Sequence, residues 1–217
     1  SEMRLRRGVE TATPLLLLLR KWVRGGRLER VTQPAFERVA QLHFDHPGEG
    51  PCTLIVEIMG RHSNIILTDA GGVILDCIKR IGPEVNRYRV LAPHQPYVPP
   101  PPQQKLSPAQ LSELRLRQVV AAGRPDEPVW KALVGGIQSV SPLLAREAVF
   151  RAWGDAELPA GRAERMAPLL DALSELFAPL QSGAWAPAVG WAEDSPAGGE
   201  GEARRVACFA PYALTHW

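Results

Sequence analysis

Gly60-Arg61-His62-Ser63-Asn64 sets one fixed cation, one titratable ring and several hydrogen-bond donors side by side, between two apolar, β-branched runs within Glu57 to Asp69. Gly60 accepts positive φ, and Asn64 tolerates it better than most residues, so the chain can turn sharply here. Such a turn leaves Arg61, His62 and Ser63 projecting from a sheet end, a rigid support for binding an anion. An ordinary solvated β-turn has the same polarity, so the hinge alone does not decide between the two readings.

Three further groups have types and spacing that could do chemistry. Glu37 and Arg38 are adjacent in a run that reads as a strand from Phe36 to Phe44, which would send them to opposite faces. Arg38 then shares the apolar row of Phe36, Ala40, Leu42 and Phe44, where it needs a carboxylate or an anion unless its stem carries it to water at the rim. Arg87-Tyr88-Arg89 flanks an aromatic with two cations, a combination suited to phosphate plus base stacking. Gly135-Gly136 followed by Ser141-Pro142 has the form of a glycine-containing turn entering a capped helix. Its backbone N–H groups and helix start could hold one phosphate without reading sequence, although a plain αα-hairpin has the same pattern.

Enzyme chemistry finds no such support. There is no P-loop, dinucleotide fingerprint, Cys/His metal spacing or Gly-x-Ser-x-Gly, and His43, His46, His62, His94 and His216 are scattered. No metal, cofactor or catalytic residue is implied.

The elements that must position these groups follow from hydrophobic period and punctuation. Thr13-Pro14, an unbroken leucine run and Gly25-Gly26 delimit a helix expected to be buried around most of its circumference. Arg27–Gln33, Phe36–Phe44, Cys52–Met59, Ile65–Asp69 and Val73–Arg80 read as strands with connections too short for anything but antiparallel pairing. Pro99 to Pro102 forms a polyproline strap, and helices follow from Ser107, over Glu127–Val134, from Leu143 and over Arg162–Leu180. Trp185–Trp191 and Arg204–Phe209 read as a hairpin around a flexible loop, Glu193 to Glu202. The fold class is α+β. An antiparallel β-meander or sandwich domain (1–104) precedes a helical domain (105–182) and a terminal hairpin region (183–217).

Composition bounds the rest. With 217 residues, 45% hydrophobic and 22% charged, the chain is an ordinary globular one, and a net charge of +2 neither demands nor excludes nucleic acid. Up to Arg38, however, nine basic residues stand against four acidic ones. That surplus could line an anionic surface, though a solvated basic face explains it equally well. Three distant cysteines suit a reducing compartment, Leu15–Leu19 is far too short to span a bilayer, and the expected location is the cytoplasm with no membrane partner.

Glu57-Ile-Met-Gly-Arg-His-Ser-Asn-Ile-Ile-Leu-Thr-Asp69, with Leu17-Leu-Leu-Arg-Lys-Trp22 before it and Tyr97-Val-Pro-Pro and Gln104-Lys105 after it, resembles the NFACT family of ribosome quality-control factors. Val140-Ser-Pro-Leu-Leu-Ala-Arg-Glu147 is similar to its helix-hairpin-helix segment, and Phe209 to Trp217 to the run preceding its coiled coil. The resemblance implies an N-terminal domain like that of formamidopyrimidine-DNA glycosylases. It implies binding of tRNA, alanyl-tRNA in bacteria, and of the large ribosomal subunit still carrying peptidyl-tRNA, in support of C-terminal alanine tailing. The ribosome would perform the chemistry. The implied RNA-facing set is Glu37, Arg38, Arg61, His62, Ser63, Asn64, Arg87, Tyr88, Arg89 and Lys105, with Gly135, Gly136 and Ser141 as a phosphate hairpin. Glu37 stands where the family carries aspartate, one methylene shorter. The resemblance also implies a partial chain, without the family's extreme N-terminus, coiled coil and C-terminal domain. Two alternatives remain: a glycosylase-like protein on damaged DNA, which lacks a visible nucleophile, and a fibronectin-binding adhesin, disfavoured without a secretion signal.

Overall fold

The computed structural model describes residues 12–192 and 205–216, and the chain divides into two compact units after Pro102. The loop expected at Glu193–Glu202, the basic residues before Thr11 and the terminal Trp217 lie outside the described residues.

The first unit opens with α1 (Pro14–Trp22), where the Thr13 hydroxyl accepts from the Leu16 N–H and Pro14 occupies the first turn. β1 (Arg27–Thr32), β2 (Val39–His46), β3 (Gly50–Glu57), β4 (Asn64–Asp69) and β5 (Ile74–Cys77) then form an antiparallel meander in chain order. It is one five-stranded sheet, not a sandwich. Both of its faces are covered. Leu15, Cys52 and Leu67 pack with the apolar side of α1 on one face, and Val39, Ile55, Ile66, Ile74, Cys77 and Leu91 fill the other.

Two local expectations need correction. α1 is not buried around its circumference: Leu15 is its one buried residue and Leu17 is 53% exposed, because a helix lying on a sheet has a single apolar neighbour. β2 begins at Val39, not Phe36. Pro34 cannot donate to a ladder, the Glu37 N–H closes a turn onto the Pro34 carbonyl, and Phe36 sits at φ 58°. Glu37 and Arg38 therefore lie in a bend, and the strand-parity argument for Arg38 does not apply.

In the second unit, Ser107-Pro108 caps only a single 3₁₀ turn, after which extended Leu111 delays α2 (Glu113–Ala121) until Ser112 caps it. α3 (Val129–Gly136), α4 (Pro142–Trp153), α5 (Ala167–Phe177) and α6 (Pro179–Ser182) complete the helices around Leu116, Leu133, Ile137, Val149, Leu169 and Leu173. The single helix expected over Arg162–Leu180 is divided, since Pro168 and Pro179 each fall in the first turn of a new helix. β6 (Ala188–Trp191) and β7 (Val206–Ala210) pair antiparallel, as the hairpin pattern predicts.

Candidate functional site

The hinge is a 3₁₀ turn at Gly60–His62, and Gly60 takes φ 57°, where a side chain would be strained. Ser63 closes it from within: its hydroxyl accepts the Met59 N–H at 2.9 Å. Asn64 does not project. It is 4% exposed, its amide donates to the Lys79 carbonyl at 2.8 Å, and its Oδ1 accepts the Lys79 N–H at 2.9 Å, which fastens the start of β4 to the segment after β5. Lys79 Nζ in turn donates to the Arg61 carbonyl at 2.9 Å. Arg61 and His62 are left exposed, and Arg61 Nε donates to His62 Nε2 at 3.0 Å, a contact that requires that ring nitrogen to be unprotonated.

Arg38 belongs to the same end of the sheet. Its carbonyl accepts the Ile58 N–H at 2.8 Å, immediately before the hinge, and its side chain is exposed. Glu37 is half-buried, and its carbonyl accepts from Gln33 Nε2 at 2.7 Å. Arg38, Arg61 and Lys79 thus gather where β2, β3 and β4 meet.

Two acids of this region, Glu57 and Asp76, are withdrawn from the surface. Glu57 ends β3 with its side chain buried, and Oε1 accepts from Arg89 and from the Tyr97 hydroxyl, the latter at 2.8 Å. Burial, and then the Glu57 carboxylate, push the Tyr97 hydroxyl well above the usual phenol range, so it stays a donor. Asp76, 2% exposed, pairs with Arg80 at 3.0 Å. Arg89 also donates Nε to the Val98 carbonyl at 2.8 Å, and its guanidinium lies 5.8 Å from the Tyr97 ring centroid. Arg87-Tyr88-Arg89 therefore divides: Arg89 is an internal tie, whereas Arg87 and Tyr88 are exposed, Tyr88 at 95%. Sequence reasoning missed Glu57 as a positioning group. The available signal was an acid terminating an otherwise apolar strand.

In the second unit, Gly135 and Gly136 form the last turn of α3, not an open phosphate loop. A Cβ on Gly136 would come within 2.6 Å of Val119 Cγ1, so glycine is needed there for the approach of α2 to α3. The N–H groups that follow are already engaged, Ile137 with Leu133 and Gln138 with Leu106. Ser141 caps α4, accepting from the Leu144 N–H at 3.1 Å. Lys105 is also committed internally, donating Nζ to the Val134 carbonyl at 2.9 Å. A second group missed from sequence is Glu147, fully buried on α4 and bonded to Arg151, Thr215 and His216.

Among the described residues, no three His, Cys, Asp or Glu are placed to hold a metal ion, and no helix is long and apolar enough to cross a membrane. Residues 6–200 match the family model of the NFACT N-terminal and middle domains. The chain belongs to the NFACT family. Its NFACT relatives include the protein named Rqc2 homolog RqcH of Bacillus subtilis, 44% identical over 143 residues that cover 63% of this chain and 24% of that protein. The protein of the same name from Streptococcus pneumoniae is 34% identical over 110 residues, 48% of this chain and 20% of the other. The NFACT chain thus spans between a fifth and a quarter of the length of these relatives. Among solved structures, the fibrinogen binding protein from Staphylococcus aureus shares the fold at TM-score 0.65 and 23% identity, covering 94% of this chain and 68% of that one. The N-terminal part of the fibronectin/fibrinogen-binding protein from Streptococcus suis gives 0.58 and 26%, covering 77% and 60%.

Proposed function

We propose that this NFACT chain is a non-enzymatic, RNA-binding positioning module of cytoplasmic ribosome quality control. It contacts tRNA and the obstructed large subunit carrying peptidyl-tRNA, and so supports alanine tailing of the stalled chain. The observation that carries this reading is the charge arrangement at the hinge: Arg38, Arg61 and Lys79 are displayed together, while Glu57 and Asp76 are buried in ion pairs. A surface with these cations outward and those two acids withdrawn suits a phosphate backbone. The relatives named Rqc2 homolog RqcH favour a ribosomal setting for that RNA. In this reading the peptide bond is made by the ribosome, Arg38 and Arg61 fix the tRNA, and Glu37 keeps the charge of the family's aspartate with a longer reach. The glycosylase-like descent of the first unit and a helix-hairpin-helix likeness of α3 and α4 belong to the same proposal, without a phosphate loop at Gly135 and Gly136.

Binding of alanyl-tRNA and of large subunits, titrated between low and physiological salt, tests it. The expected result is affinity that falls steeply with salt. Arg38→Ala and Arg61→Ala should each weaken binding and flatten the salt slope by about one contact. Equal affinity in both variants, or binding indifferent to salt, would remove the roles assigned to these side chains.

A further inference from the structure

We propose that Tyr88 is a stacking platform for one unpaired RNA base, presented on a loop anchored by the buried Glu57–Arg89 pair; the proposal rests on the reading of the hinge end as an RNA surface. A tyrosine normally hides most of its ring, because the ring is a large apolar area with one polar atom. Tyr88 is 95% exposed. Its backbone, by contrast, is held on both sides. Ile81 and Leu91 exchange both backbone hydrogen bonds at 2.8 Å and close the base of the loop. Asn86 Oδ1 accepts the N–H groups of Tyr88 and Arg89, each at 3.0 Å. Arg89 then reaches Glu57 and the Val98 carbonyl, tying the residue beside the ring to the end of β3.

An anchored loop that holds an aromatic face in water has already met the ordering cost that a free loop would meet on binding. The occupant must offer a flat face and tolerate cationic surroundings, since Arg87, the preceding residue, is exposed, and Arg38, Arg61 and Lys79 are exposed at the sheet end to which Glu57 ties the loop. An unpaired nucleobase on a phosphate chain meets both conditions. Bases inside a duplex do not, because their faces are already stacked.

The test uses the full chain with two probes, a single-stranded RNA oligonucleotide carrying 2-aminopurine and a duplex of the same sequence, alongside tRNA. The single strand should bind with quenching of the 2-aminopurine. Tyr88→Ala should abolish the quenching and weaken binding about tenfold. Tyr88→Phe and Tyr88→Trp should retain both, and the duplex should not discriminate among the variants. If Tyr88→Ala keeps wild-type affinity and quenching while Arg61→Ala loses affinity, stacking is overturned, the RNA surface stands, and Tyr88 is left to a protein ligand. If the wild-type chain binds neither tRNA nor the single strand, the RNA surface itself fails.

Discussion

Among the described residues, each unit buries one glutamate with an arginine, and the two are satisfied very differently. Glu147 is bonded through both oxygens. Oε1 accepts from Arg151 at 2.6 Å and from the Thr215 hydroxyl at 2.7 Å, and Oε2 from the Thr215 N–H at 2.9 Å and His216 Nδ1 at 2.5 Å. Glu57 accepts both of its bonds on Oε1, from Arg89 and Tyr97, and Oε2 has no partner among the described residues. Burial alone would raise the Glu147 carboxyl, but the bonds from His216, Arg151 and Thr215 outweigh it and pull the carboxyl down to about 2. A carboxylate saturated in this way is a lock, and it holds Thr215 and His216 against α4. The half-satisfied Glu57 is a tether at the edge of the proposed RNA surface, where it keeps Arg89 from competing for phosphate.

The contrast is open to mutation, and the largest effect should come from the lock. Glu147→Ala leaves several donors and the Arg151 charge uncompensated, and should cost about 3–5 kcal/mol in denaturant unfolding. Glu57→Ala strands one arginine and one phenol, and should cost less, about 2–3 kcal/mol. Equal losses would show that the saturated shell adds nothing.

Protonation offers a milder cut at the same site. Because the folded carboxyl of Glu147 lies below its unfolded value, its contribution is complete above about pH 4.5 and disappears as pH falls toward 2. Thermal melts of the wild-type chain and Glu147→Gln should therefore converge across that window. A stability gap independent of pH would mean that the carboxylate's charge is not what locks the segment.

The smallest effect should be Glu57→Gln, at about 1 kcal/mol. The amide oxygen can replace Oε1, and the NH2 group falls where no donor opposes it. At Glu147 the same change sets an NH2 against existing donors. Unfolding curves that rank Glu57→Gln as the costlier substitution would reverse the assignment of lock and tether.

Much of the frame was legible in the residues. Short connections and alternating polarity demanded antiparallel neighbours, and the five strands pair in chain order. Gly60 announced a turn that needs positive φ, and it has one. Ser141-Pro142 announced a helix start, and Ser141 caps it. Less of the candidate site could be read. Arg61, His62 and Arg87 are exposed, whereas Asn64, Arg89 and Lys105 are engaged with partners 15, 32 and 29 residues away in sequence.

These differences have one physical origin. Turn chemistry, capping and strand period act within a few residues, so local composition suffices to place the hinge and the meander. Whether a polar side chain there faces water or is taken up inside depends on which distant backbone or charge arrives beside it. Lys79 reaches Asn64 and Arg89 reaches Glu57 only once the sheet has closed. Thr215 meets Glu147 across 68 residues of chain in the same way. Packing, by settling those encounters, divided one polar stretch into anchors and exposed cations.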